Sequence, residues 1–148
     1  MTARMPSPAR TFPTLGKGVG LLLQAVHGGG VPDTTLELVH LRVSQMNGCA
    51  FCVDMAATAL RKAGETDERL ALVAVWREAP GFTDAERAAL ALAEASTLNA
   101  PGGVPDAVWD DAADEYDETA LGAIVTQIAL TTFFNRINVA VRQPVGAW

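Results

Sequence analysis

The stretch from Glu118 to Val141, "ETALGAIVTQIALTTFFNRINVAV", is apolar nearly all round until Asn135 and Arg136. A helix without a polar face cannot sit on a surface, so it must be buried in a bundle or against another subunit. Asn135 and Arg136 are polar where polarity is costly. They are expected to hydrogen-bond across a helix or subunit boundary rather than to act in catalysis. A fold built around such a segment is a packed set of helices.

The rest of the chain agrees. It has 148 residues, enough for one domain with a real core, and is 49% hydrophobic with only 6% aromatic residues. Alanine and leucine supply much of this, and both are strong helix formers. A half-apolar composition is high for a small monomer and favours a subunit interface. The formal net charge of −6, with scattered Lys and Arg, gives no footprint for nucleic acid. The opening "MTARMPSPARTFP" lacks an apolar core, so residues 1–13 read as an irregular arm rather than a secretory signal, ahead of a single domain over 14–148. The longest apolar run, "VGLLLQAV", falls far short of the roughly 20 residues that span a bilayer. The expectation is a soluble cytoplasmic protein with no membrane partner, where two cysteines would not form a merely structural disulfide.

Punctuation divides the chain into six to seven helices. Gly28, Gly29 and Gly30 end the first, and Thr34 with Glu37 spells a capping box for the second, which Asn47-Gly48 terminates. The third is expected from Cys49 to Ala63, stopped by Gly64, and the fourth over "DERLALVAVWREA" before Pro80. Thr83 with Glu86 caps the fifth, which runs to about Asn99, and the loop "APGGVPD" leads to "DAVWDDAADEY" and the final long helix. Trp76, Trp109 and Trp148 have no motif around them and are assigned to core or interface packing. No alternating strand pattern is present, and the fold class is all-α.

Cys49 and Cys52 open the third helix. At i, i+3 their sulfurs share a face and can form a disulfide. Unpaired N–H groups at a helix start favour thiolate over thiol, so this is the minimum equipment for a dithiol redox cycle. Two inert core cysteines are the bland alternative. Zinc would need about four ligands, and only His27 and His40 remain, so no metal site is expected. Cys52, Ala56, Ala59 and Ala63 also form a stripe of small residues along which another helix could approach. If the second and third helices pair around Asn47-Gly48, Cys52 faces Val43 and position 56 faces Val39, with Glu37 and His40 on either side.

The segments "ELVHLRVSQMNGCAFCVDM", "LRKAGE", "WREAPGFTDAERAALALAEA" and "FFNRINVAVR" together resemble the alkylhydroperoxidase (AhpD-like) branch of the carboxymuconolactone decarboxylase superfamily. The resemblance covers roughly residues 12 to 143. The family's core is a Glu, eleven residues, Cys-x-x-Cys, three residues and His, and Glu37, Cys49 and Cys52 fall on it. It implies an AhpD-like helical bundle that assembles as a homo-oligomer, a trimer or hexamer, and needs no bound cofactor. It further implies that Cys52 attacks an organic hydroperoxide and that Cys49 closes the disulfide. An external dithiol or thioredoxin-like partner then reduces it, and Glu37 anchors a proton relay through histidine.

The histidine position holds Ala56. Alanine cannot accept a proton, and general-base assistance is worth ~10² to 10⁴ in rate. His40, one turn from Glu37, could take over; the chain could have drifted to another thiol reaction or none; or the alanine could replace a native histidine. Glu37 itself could serve only its capping box. The competing functions are a lyase of the decarboxylase branch, which needs no CxxC, and a non-catalytic oligomeric binding module.

Overall fold

The computed structural model describes residues 2–147, and all regular structure among them is helical. The eight helices are α1 (Pro8–Thr11), α2 (Pro13–His27), α3 (Asp33–Met46), α4 (Ala50–Lys62), α5 (Asp67–Leu72), α6 (Asp84–Leu98), α7 (Asp106–Glu115) and α8 (Glu118–Val141). The count exceeds seven because Pro8–Thr11, within the stretch expected to be irregular, makes one helical turn.

α3 lies at the centre and buries two faces. Leu36, Val39 and Val43 join Ala89 and Leu92 of α6 and Ile124 and Ile128 of α8 in one apolar cluster. Leu38 and Leu41 join Ala56 and Leu60 of α4, Leu70, Val73, Trp76 and Leu90 in a second. What remains of α3 is a narrow strip carrying Glu37 and His40.

α8 is long and apolar enough to cross a membrane by length and composition, although half of its most apolar window is buried in the protein. Gln127 and Thr131 are buried, Thr126 bonds back to the Gly122 carbonyl of its own helix, and α8 packs as a core helix. Asn135 is 1% exposed and ties it down, donating from Nδ2 to Ser44 Oγ at 3.1 Å and accepting from Asn47 Nδ2 at 3.0 Å. Arg136, expected to be held with it, is exposed.

Gly29 fixes the approach of the α2–α3 turn to α8. A Cβ there would lie 2.4 Å from that of Ala123, and it would also crowd the carbonyl of Val26. Beyond α3, Asn47 keeps a right-handed conformation and Gly48 alone takes the left-handed one, with φ +67°.

Two local expectations change. The Thr34–Glu37 capping box does not form. The helix begins earlier, with Pro32 at the N-cap and no side-chain cap, so Thr34 is already inside it and Glu37 is free for other partners. The expected single helix after Thr66 stops at Leu72 and tightens to 3₁₀ over Val73–Val75. Arg87 of α6 takes up the carbonyls released there, donating to Trp76 O at 2.9 Å, Ala79 O at 2.5 Å and Phe82 O at 3.2 Å. By contrast, Thr83 and Glu86 form the reciprocal capping box expected of them, and Asn99 ends α6 in the left-handed conformation.

Trp76 is a core residue and donates from Nε1 to Glu94 Oε1 at 2.9 Å. Arg42 Nε reaches the same oxygen at 2.7 Å and Arg77 bonds the other. Burial alone would push the Glu94 carboxyl up, but the bonds from Arg77, Trp76 and Arg42 outweigh it and hold the group below its ordinary range. Trp109 is 43% exposed, so it is not a core residue, and Trp148 lies outside the described residues.

Candidate functional site

Cys49 is the N-cap of α4, and its sulfur accepts from the backbone N–H of Cys52 at 3.3 Å. The turn Asn47-Gly48, pinned to α8 through Asn135, delivers it there. The two cysteines are joined as a disulfide, with Cα atoms 5.3 Å apart. Both are 1% exposed to the outside, but only Cys52 lies on the wall of a cavity.

That cavity, of about 1020 Å³ and partly open to the surface, is lined by α3, α4, α8, the end of α2, the N-terminal arm and residues after α8. Leu23, Phe51, Met55, Leu130 and Phe134 give it an apolar wall, interrupted by Glu37, His40, Gln127, Thr131 and Asn138. The arm closes one side because the Arg4 backbone N–H donates to Val141 O at 2.9 Å and its guanidinium to Ala140 O at 3.1 Å.

The residues singled out from the sequence are thus brought together. Glu37 and His40 are part-buried, and His40 Nδ1 lies 3.0 Å from Glu37 Oε2. That contact fixes the ring, leaving Nε2 as its second proton-carrying atom. Both residues share the cavity with Cys52. The direct partner of the Cys52 sulfur is one the sequence reading missed, Asn138 of α8, whose Nδ2 lies 3.4 Å from Sγ. Its signal was available: Asn138 falls three residues after Asn135 near the end of a largely apolar helix, but nothing local says which sulfur it meets.

Ala56 has no exposed surface and belongs to the core cluster with Leu38, Leu41 and Leu60; the cavity wall next to Cys52 is made by Phe51 and Met55 instead. The small-residue stripe works as a seam only at its start. Ala59 is half-buried and Ala63 exposed. His27 sits at the cavity's edge, with Nδ1 2.8 Å from Asp33 Oδ1, and bridges α2 to α3.

Chemically, this is a cysteine pair with one sulfur facing a largely apolar chamber, an amide donor against that sulfur, and a carboxylate–imidazole pair lining the same chamber. Residues 13–95 match the sequence profile of the carboxymuconolactone decarboxylase family. The chain is 42% identical over 107 residues to the uncharacterized protein YdfG of Bacillus subtilis, covering 72% of this chain and 73% of that one. It is 36% identical over 108 residues to the uncharacterized protein YnjA of Escherichia coli, and there the match covers 73% of this chain but 59% of the relative. The solved structure of ATU0492 from Agrobacterium tumefaciens, a protein of unknown function described as a candidate antioxidant defence protein AhpD, superposes with a TM-score of 0.89 at 33% identity. The match covers 97% of this chain and 98% of that one. The debrominase Bmp8 in complex with 2,3,4-tribromopyrrole shares the fold, with a TM-score of 0.81 at 23% identity over 93% of this chain and 73% of its own.

Proposed function

The chain belongs to the carboxymuconolactone decarboxylase family, with an AhpD-like fold, and we propose that it is a dithiol peroxidase acting on organic hydroperoxides. The observation that carries this reading is the asymmetry of the cysteine pair: Cys52 faces the cavity that also holds Glu37 and His40, while Cys49 caps α4 behind it.

In the reduced protein, Cys52 gives up its proton to His40 and attacks the terminal oxygen of the hydroperoxide. The O–O bond breaks, the alkoxide takes a proton from His40 and leaves as the alcohol, and Cys52 becomes a sulfenic acid. Cys49 then attacks the Cys52 sulfur, its thiol proton passing to the departing hydroxide, so that the S–O bond breaks and water leaves. The disulfide has received the two oxidising equivalents of the peroxide, and an external dithiol returns the pair to thiols by exchange. Glu37 orients His40 and stabilises its charged form, while Asn138 donates to the sulfur as thiolate.

Two accompanying features belong to the same reading. Phe12, Leu21 and Leu22 are exposed along the arm and α2, which supports burial in a homo-oligomer. A cycle that ends in dithiol reduction suits a reducing compartment such as the cytoplasm.

The test uses Cys49→Ser, which keeps a good N-cap oxygen while removing the resolving thiol. On adding an organic hydroperoxide to the reduced variant, a sulfenic acid should accumulate on Cys52 and be trapped there by a dimedone probe. No label on Cys52, with lactone turnover that survives replacement of both cysteines, would establish the lyase reading instead.

A further inference from the structure

Gln127 is 5% exposed, forms part of the cavity wall, and its Oε1 has no hydrogen-bond partner. Buried side-chain amides are normally satisfied, and an orphan acceptor carries a desolvation cost that a core position without a role would lose by substitution to leucine. Gln127 lies on the same face of α8 as Thr131 and Asn138, at i, i+4 and i+11, and all three line the chamber. Asn138 marks the end where the reacting sulfur sits. Gln127 marks the other, about 16 Å away along the axis at 1.5 Å per residue. Between them Leu130 and Phe134 make the wall apolar except at Thr131. A chamber of about 1020 Å³ is at the upper end of the range for small-molecule sites and far larger than a short alkyl hydroperoxide requires.

The geometry points to Gln127 as a specificity-determining subsite for the hydroxyl of an elongated, otherwise apolar substrate, one whose hydroxyl lies remote from the peroxide group. A hydroxyl can donate to Oε1 while its own oxygen remains free to accept, and the soft terminal torsion of glutamine lets the carboxamide turn to meet it. The inference rests on the chamber being the substrate site of the peroxidase, but its test involves no thiol chemistry and so can fail or succeed independently.

The experiment compares the binding of 1-octanol and methyl heptyl ether, of the same size but without a donor, to the full-length oxidised protein. Kd and the Gln127 side-chain amide resonances are followed by NMR. Octanol should bind about fivefold more tightly than the ether, shift the Gln127 resonances, and lose its advantage in Gln127→Leu. Should that variant fail to fold, Gln127→Met serves the same comparison. Equal affinity for the two probes in the unaltered protein would mean that a bound water satisfies the amide, and would overturn the assignment. A preference that survives removal of the amide, or no binding of either probe, would overturn it as well.

Discussion

His40 Nδ1 stands 3.0 Å from Glu37 Oε2, one turn away on α3, and both side chains open onto the cavity that Cys52 faces. Both members of this carboxylate–imidazole pair stand on one helix. His40 is therefore the base in this account, a positioning of the proton acceptor that does not depend on residue 56.

Replacing His40 with Gln should slow hydroperoxide-driven oxidation of Cys52 by about 10²-fold, the low end of general-base assistance. Glu37→Gln should cost less, since it removes only the orienting charge. The pair is part-exposed, so both variants should melt within a few degrees of the unaltered protein. Stopped-flow oxidation beside a thermal melt separates loss of chemistry from loss of structure.

Glu94 is buried and anchors Arg42, Arg77 and Trp76, so Glu94→Gln should destabilise the protein by about 3 kcal/mol at neutral pH. Its carboxyl is held below the ordinary range, so folding is favoured by the ionised form above that range and the benefit is lost as pH falls through the lowered value. The stability gap between the two proteins should accordingly close on acidification. Denaturant titrations at neutral and acidic pH read this directly, and a gap that stays constant would contradict it.

Gly29→Ala should destabilise by about 1–3 kcal/mol, because the new methyl would meet Ala123 at 2.4 Å and crowd the carbonyls of Val26 and Thr119. Gly29→Ala combined with Ala123→Gly should recover much of the loss. A thermal melt of the single and double variants checks both.

Most of the helix boundaries were legible because they are written in local chemistry: Thr83 with Glu86, Asn99, Gly48 and Gly64 each act within a turn of where they stand. The break after Leu72 was not, because the group that stabilises it, Arg87, comes from another helix. The same division runs through the site. Cys49, Cys52 and Glu37 stand at a recognisable spacing, and His40 could be placed one turn from Glu37. Asn138 and Gln127 owe their position to the packing of α8 across α3 and α4, which no local pattern records. Thr34 misled for a related reason. Its spacing to Glu37 suits a cap, but the helix starts at Asp33 and leaves the pair with nothing to cap.

The most direct measurement is the rate at which the reduced protein forms the Cys49–Cys52 disulfide on adding an organic hydroperoxide, taken beside a free thiol and the Ala56→His variant. The account predicts that the unaltered chain reacts at least about 10²-fold faster than the free thiol. Ala56→His should react no faster, because position 56 is packed among Leu38, Leu41 and Leu60 and the base is already supplied by His40. A free-thiol rate in the unaltered protein with fast reaction only in Ala56→His would contradict it, and would mean that His40 does not replace the family's histidine.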